Sequence, residues 1–158
     1  MRITPPVRAS HVYTQHLVAP PARVFPLLCP VREAEWAAGW APRVVYSASG
    51  VAERDAVFVT PDEGADAIWT ITEHDPSRGH VEMVKVVPAL VVTRLEIDLR
   101  PDGASGCEAD VRYTYTALSE AGEAYVRQRT AGWYEEFMRA WERELNAYLA
   151  SRDHPVAG

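Results

Sequence analysis

The hydrophobic pattern changes its period once, at Ser119, and this change limits the possible folds more than any other feature of the sequence. Before it, apolar and polar residues alternate through much of residues 43–118, which is typical of strands with one buried face. After it, apolar residues recur at spacings of three and four, which indicates one long amphipathic helix over residues 119–151. Ser119 suits the N-cap position, and residues 153–155 (DHP) are predicted to end the helix.

Seven strands are predicted, and six of them follow one another before the long helix. Short segments rich in glycine, proline and aspartate, such as residues 61–64 and 101–103, separate them. Strands joined by such short turns are antiparallel neighbours. The predicted strands are residues 11–18, 43–49, 55–60, 67–74, 80–87, 91–100 and 107–118.

Two short helices are predicted after the first strand. The proline pair at residues 20–21 suits the first turn of a helix. Pro26 and Pro30 interrupt the apolar spacing that follows, so this helix is expected to be short and bent. A second short helix is predicted over residues 31–38.

The two strands before the long helix alternate most clearly. One face carries Leu95, Ile97, Leu99, Val111, Tyr113 and Tyr115, and the other carries Glu96, Asp98, Asp110 and Arg112. We expect the apolar set to be buried against the helix and the charged set to face solvent. The strand over residues 80–87 allows two registers: either Val81, Met83, Lys85 and Val87 face the helix, or Glu82, Val84 and Val86 do.

Several segments carry a resemblance to a known superfamily. They are residues 17–25 (LVAPPARVF), residues 27–36 (LLCPVREAEW) with Gly39-Trp40, residues 67–76 (AIWTITEHDP), and residues 118–122 (LSEAG) with the helix that ends at Tyr148-Leu149. Their order and spacing resemble the START-like superfamily, also called SRPBCC domains, which includes plant pollen-allergen proteins and polyketide cyclases.

This resemblance implies one START-like domain over residues 1–158, with its core at about 11–150. It implies the α+β helix-grip fold, in which a curved seven-stranded antiparallel sheet surrounds a long C-terminal helix, with two short helices after the first strand. Members of the superfamily usually keep a cavity between sheet and helix. The resemblance also implies ligands such as lipids, polyketides or other ring systems.

The acidic composition disfavours some classes of partner. The formal net charge is −6, whereas nucleic acids and anionic membranes attract basic surfaces. No apolar segment is long enough for a membrane-spanning helix, and the first residues lack the apolar region of a secretion signal, so a cytoplasmic location is expected. The two cysteines, Cys29 and Cys107, are predicted to be buried thiols.

The sequence carries no recognised cofactor or metal motif. It has no glycine-rich phosphate loop, no C-x-x-C and no H-E-x-x-H. His74 and His80, with Glu73 and Glu82 nearby, are the best metal candidates, but two histidines beside a turn are more often solvated. We therefore expect neither a bound metal nor a cofactor.

Aromatic and polar residues on the predicted inner face are the candidate ligand contacts. Any one of the aromatics could be simple core, but a set of them suits a pocket that orients a mostly apolar ligand. The candidates are Gln15, Trp36, Trp40, Tyr46, Trp69, Tyr113, Tyr115, Trp133 and Phe137. The weaker catalytic candidates are Glu82, Tyr113 and Tyr115, and Glu82 qualifies only if its strand turns that side chain inward.

Three functions follow from these observations. The leading hypothesis is that a small hydrophobic or aromatic molecule binds between the sheet and the C-terminal helix. The alternatives are an enzyme similar to polyketide cyclases and aromatases, and a protein-interaction module with a small or filled cavity. The sequence leaves open the identity of the ligand and whether the chain forms a homodimer.

Overall fold

The computed structural model describes residues 1–152 apart from Arg2, Thr4, Glu63 and Gly64. The strands are β1 (Arg8–Leu17), β2 (Val44–Tyr46), β3 (Val57–Asp62), β4 (Ala65–Asp75), β5 (His80–Val87), β6 (Val91–Asp102) and β7 (Gly106–Ala117). The α-helices are α1 (Pro21–Val24), α2 (Glu120–Gln128) and α3 (Ala131–Ser151), and two 3-10 turns cover Phe25–Leu27 and Arg32–Glu35. The turn predicted at residues 61–64 and the helix end predicted at residues 153–155 include positions outside the described residues.

The strands form one antiparallel sheet in the order β1-β7-β6-β5-β4-β3-β2. Six strands are long, and β2 is a three-residue strand at one edge. The predicted α+β class, the antiparallel sheet and the C-terminal helix are confirmed. The strand predicted over residues 43–49 is much shorter than expected, because only Val44–Tyr46 pair with β3.

The single long helix predicted from Ser119 is wrong, because the structure contains two helices. The Ser119 hydroxyl accepts a hydrogen bond from the Gly122 backbone N–H at 3.1 Å and caps α2. Arg129 then leaves the helical conformation, and the Thr130 hydroxyl accepts from the Trp133 N–H at 3.2 Å to cap α3. The apolar spacing continues across this break, so the pattern alone did not reveal it.

The region after β1 also differs from the two short helices that were predicted. α1 makes one helical turn, and the 3-10 turns at Phe25–Leu27 and Arg32–Glu35 follow it. Pro26 and Pro30 carry no backbone N–H to donate within a longer helix, which accounts for the short elements.

The faces of the sheet follow the predicted alternation. Leu95, Ile97, Leu99, Val111, Tyr113 and Tyr115 are buried, Asp98 and Arg112 are exposed, and Glu96 and Asp110 are half-buried. The register of β5 turns Val81, Met83, Lys85 and Val87 toward the helices, since Met83 pairs with Leu95 and shares its face.

Side chains of α3 fix this helix across the end of β1. The Glu142 carboxylate accepts from the His16 backbone N–H at 2.7 Å. The Asn146 amide accepts from the Val18 N–H at 3.0 Å and donates to the His16 carbonyl at 2.9 Å. These bonds hold α3 against the end of β1. Among the described residues, no helix has the length and apolar character needed to cross a membrane.

Candidate functional site

A cavity lies between the sheet, the 3-10 turns and the C-terminal helices. It has two adjoining chambers of about 320 Å³ and 310 Å³. We call the first the Glu33 chamber and the second the Lys85 chamber, after a charged residue that lines each of them. Both are lined by Gly39, Trp40, Trp69, Tyr113 and Phe137.

The wall between the chambers is aromatic. The Trp69 ring stacks on Phe58 with centroids 5.3 Å apart, and Trp40 meets Trp69 edge-on at 6.2 Å. The indole N–H groups are used inside the protein: Trp69 donates to the Thr60 hydroxyl at 2.9 Å, and Trp40 donates to a backbone carbonyl at 2.7 Å. These two tryptophans therefore offer ring surface to a ligand rather than hydrogen-bond donors.

Glu33 lies in the 3-10 turn at Arg32–Glu35 and lines the first chamber. Its neighbour Arg32 pairs with Glu35 at 3.2 Å instead. Within the part of the chain that the structure describes, the Glu33 carboxyl has no hydrogen bond or ion pair. Burial raises the pKa of Glu33 to about 8, because the charged form loses its hydration and gains no partner.

Tyr113 shares the Glu33 chamber and projects from β7. Burial raises the pKa of Tyr113 well above its usual value, and the nearby Tyr115 and Glu33 raise it further. The Tyr113 phenol is therefore a neutral O–H donor at every physiological pH. Its hydroxyl makes no hydrogen bond to another described residue, so it is free to donate to a ligand.

The Lys85 chamber is more polar, and its charges are paired. The Lys85 ammonium forms an ion pair with the Asp62 carboxylate, and it lies 5.3 Å from the Trp69 ring centroid. Arg129 places its guanidinium 3.3 Å from the Tyr125 ring centroid and 5.0 Å from that of Trp133. In this chamber the cations thus lie against ring faces, and the Asp62 carboxylate neutralises Lys85.

Two exposed aromatics stand at the N-terminal end of α3, beside the cavity. Trp133 and Phe137 are 40% and 39% exposed and stack on each other at 5.3 Å. Trp133 lines the Lys85 chamber, and Phe137 lines both chambers. They give the cavity an apolar rim.

The structure brings six of the predicted ligand contacts to the cavity and leaves three outside it. The six are Trp40, Trp69, Tyr113, Tyr115, Trp133 and Phe137. Gln15 is buried and donates to the Met138 carbonyl at 3.2 Å. Trp36 is buried in a stack with Trp141, and Tyr46 is 72% exposed on the edge strand β2.

Glu82 does not face the cavity, because the β5 register places it on the opposite side of the sheet. There it accepts from the Thr72 hydroxyl at 2.7 Å and forms an ion pair with Arg94. Burial alone would raise the pKa of Glu82, but the hydrogen bonds from Thr72 and Arg94 lower it overall. An ionised, paired carboxylate on the outer face cannot act as an acid or base in the cavity.

Glu33 is the residue that sequence reasoning missed. It lies in the quoted segment 27–36, but a single 3-10 turn has no hydrophobic period to show which side chains point inward. The sequence predicted an inward-facing Lys85 in only one of the two registers that it allowed for residues 80–87.

The histidines considered for a metal have other contacts. The His74 ring packs on Phe25 at 5.0 Å, while His80 lies between Asp98 at 2.7 Å and Glu73 at 3.4 Å. A different group, His16, Asp102 and Glu108, brings its ligand atoms within 4.8 Å of one another near the protein surface. Such surface clusters are common without an ion, so this group defines no site.

Several solved structures have a fold similar to that of this chain. A norcoclaurine synthase point mutant from Thalictrum flavum, in complex with a transition state analogue, superposes with a TM-score of 0.71 at 11% identity, over 96% of this chain and 100% of that one. The same enzyme in complex with dopamine and hydroxybenzaldehyde gives a TM-score of 0.66 at 12% identity, over 95% and 90% of the two chains. Ara h 8.0201 gives 0.65 at 12% identity, over 91% and 99%.

No protein-family model matches the sequence, and no curated protein does. The structural likeness therefore defines the fold. The fold that the sequence resemblance implied is confirmed: the chain shares it with norcoclaurine synthase and Ara h 8.

Proposed function

We propose that this protein binds a small, partly apolar ring compound in the two-chamber cavity. The observation that carries the proposal is the aromatic wall, in which Trp40, Trp69, Tyr113 and Phe137 line both chambers. The flat faces of the two tryptophans and Phe137 favour another flat, mostly apolar molecule, and the Tyr113 hydroxyl can donate one hydrogen bond to it. The presence of the cavity favours this function over the interaction module, which requires a small or filled interior.

The expected affinity is modest. A ring compound of about 12 non-hydrogen atoms that gains about 0.5 kcal/mol per atom binds with about 6 kcal/mol, equivalent to a dissociation constant of about 40 μM. A norcoclaurine synthase structure of the same fold holds dopamine and hydroxybenzaldehyde, which are single-ring aromatics. Ring compounds of one to three rings are therefore suitable probes, alongside flavonoids and fatty acids.

Isothermal titration calorimetry with this panel tests the proposal. We expect saturable binding by at least one ring compound, weakened about tenfold by Trp133→Ala, because that ring lines the cavity and is exposed enough to be removed without damage to the core. Tyr46→Ala is the matched control, since Tyr46 is also an exposed aromatic but lies away from the cavity. Circular dichroism checks that both variants fold.

Two results would count against the cavity. One is that no compound binds more tightly than about 1 mM. The other is that Trp133→Ala and Tyr46→Ala bind as well as the wild-type protein. Either would transfer support to the interaction module.

A further inference from the structure

Glu33 differs from the other carboxylates that line the cavity. Glu144, in the same chamber, accepts a hydrogen bond from the Ala38 backbone N–H at 3.0 Å. Asp62, in the Lys85 chamber, is paired with Lys85. The Glu33 carboxyl has no such partner among the described residues, and it lines a chamber that is otherwise largely aromatic and aliphatic. Glu33 is half-buried, and no contact with another described residue offsets the cost of partly desolvating its carboxyl group.

The same chamber contains a second polar group without a partner. The Tyr113 hydroxyl makes no hydrogen bond within the described residues, and the Glu33 charge is close enough to affect its titration. One group can exchange a proton, and the other can only donate a hydrogen bond. An acid–base group beside a neutral donor is the minimum needed to move a proton on a bound carbonyl compound.

We infer that the cavity catalyses proton transfer at the carbon next to the carbonyl group of a bound ring ketone, with Glu33 as the base and Tyr113 as the hydrogen-bond donor to the carbonyl oxygen. This inference rests on the proposed function, because the ketone must first bind in the cavity.

The step balances without any co-reactant. The Glu33 carboxylate takes the proton from the carbon, and the electron pair of the broken C–H bond forms the C=C bond of an enolate. The carbonyl π electrons move to the oxygen, where the Tyr113 O–H stabilises the charge. While the proton is on Glu33 it is replaced by one from solvent, which in D₂O is a deuteron. The Glu33 carboxylic acid then delivers it to the same carbon, which gives exchange, or to a conjugated carbon, which gives isomerisation.

The pH dependence follows from the state of Glu33. Only the carboxylate form is a base, and burial holds the pKa of Glu33 at about 8. Catalysed exchange should therefore rise with pH up to about 8 and then level off. The other titratable groups that line this chamber are Tyr113 on β7 and Glu144 on α3. Those in the adjoining chamber are Asp62, Lys85, Tyr115, Tyr125 and Arg129.

Proton–deuterium exchange tests the inference. 2-Tetralone, a two-ring ketone with acidic C–H groups, is incubated with the protein in D₂O, and loss of the proton signals beside the carbonyl is followed by NMR. We expect at least a tenfold acceleration over buffer alone at the same pH. Glu33→Gln should abolish it, and Tyr113→Phe should reduce it about tenfold.

Glu35→Gln is the matched control, because Glu35 lies in the same 3-10 turn but outside the cavity. The Glu35→Gln variant should catalyse the exchange of 2-tetralone protons at the wild-type rate. Calorimetry on the same samples reports whether 2-tetralone binds. Binding without acceleration, or acceleration that survives Glu33→Gln, would overturn the inference and leave the proposed binding function intact. If neither 2-tetralone nor any other compound of the panel binds, both fail.

Discussion

The two chambers share an aromatic wall but differ in whether their charged groups form ion pairs. In the Lys85 chamber the Lys85 ammonium and the Asp62 carboxylate are paired, so each offsets much of the cost of burying the other. In the Glu33 chamber no other described residue pairs with the Glu33 carboxyl, and its pKa is raised instead. The Lys85–Asp62 pair thus stabilises the structure. The Glu33 carboxyl, with its raised pKa, can instead exchange a proton with a ligand.

The largest expected effect comes from breaking the pair in the Lys85 chamber. Lys85→Met leaves the Asp62 charge, whose side chain is only 10% exposed, without its partner. We expect a loss of about 3 kcal/mol in the free energy of unfolding, measured by urea denaturation. The double variant Lys85→Met/Asp62→Leu should recover most of it. A double variant as unstable as the single one would show that the pair is not what stabilises this chamber.

Glu33 should make stability depend on pH in the other chamber. Its folded-state pKa, about 8, lies above the ordinary value of 4.5, so the folded protein binds more protons than the unfolded chain between these values. Stability is therefore greatest below about pH 4.5 for this group and falls by about 2 kcal/mol as pH rises through 8, since the half-buried side chain keeps some contact with solvent. Glu33→Gln should remove this fall. Urea denaturation at pH 5, 7 and 9, with Glu35→Gln as the control, measures it.

A smaller effect is expected at the junction of the two helices, which positions the wall of the Lys85 chamber. The Thr130 hydroxyl caps α3 through the Trp133 N–H, so Thr130→Ala should cost about 1 kcal/mol of stability. Because Trp133 lines only the Lys85 chamber, ligand contacts in that chamber should weaken more than those in the Glu33 chamber. Thr130→Ser, which keeps the hydroxyl, is the control. Equal stability of the two variants would argue against the cap.

Alternation predicted the faces of the sheet because each strand has one buried side. In β6 and β7 a shift by one residue would bury Asp98 and Arg112, so only one register was acceptable. In β5 both candidate faces carry valines, and the pattern could not choose between them. Pairing with β6, which has one clearly apolar face, determines which face of β5 points toward the helices.

In the C-terminal helical region, by contrast, the hydrophobic period did not predict where one helix ends and the next begins. Spacings of three and four continue through Val126, Thr130 and Trp133, so the period is the same whether the helix continues or restarts. The break depends on one backbone conformation at Arg129 and on the Thr130 cap, which are local events. The candidate site was accessible to sequence reasoning where it uses strand residues such as Trp69 and Tyr113. Glu33, in a single 3-10 turn, was not.

The hydrogen bonds from α3 to β1 also affect how this protein meets other chains. An edge strand offers free N–H and carbonyl groups on which a foreign strand can assemble, and this is a route to aggregation. Here the His16 N–H and carbonyl and the Val18 N–H are already occupied by Glu142 and Asn146. The residues that dock the helix thus also occupy the backbone groups at this end of the edge strand. Any change that loosens α3 would expose a template for strand addition, so loss of helix docking and onset of aggregation should occur together.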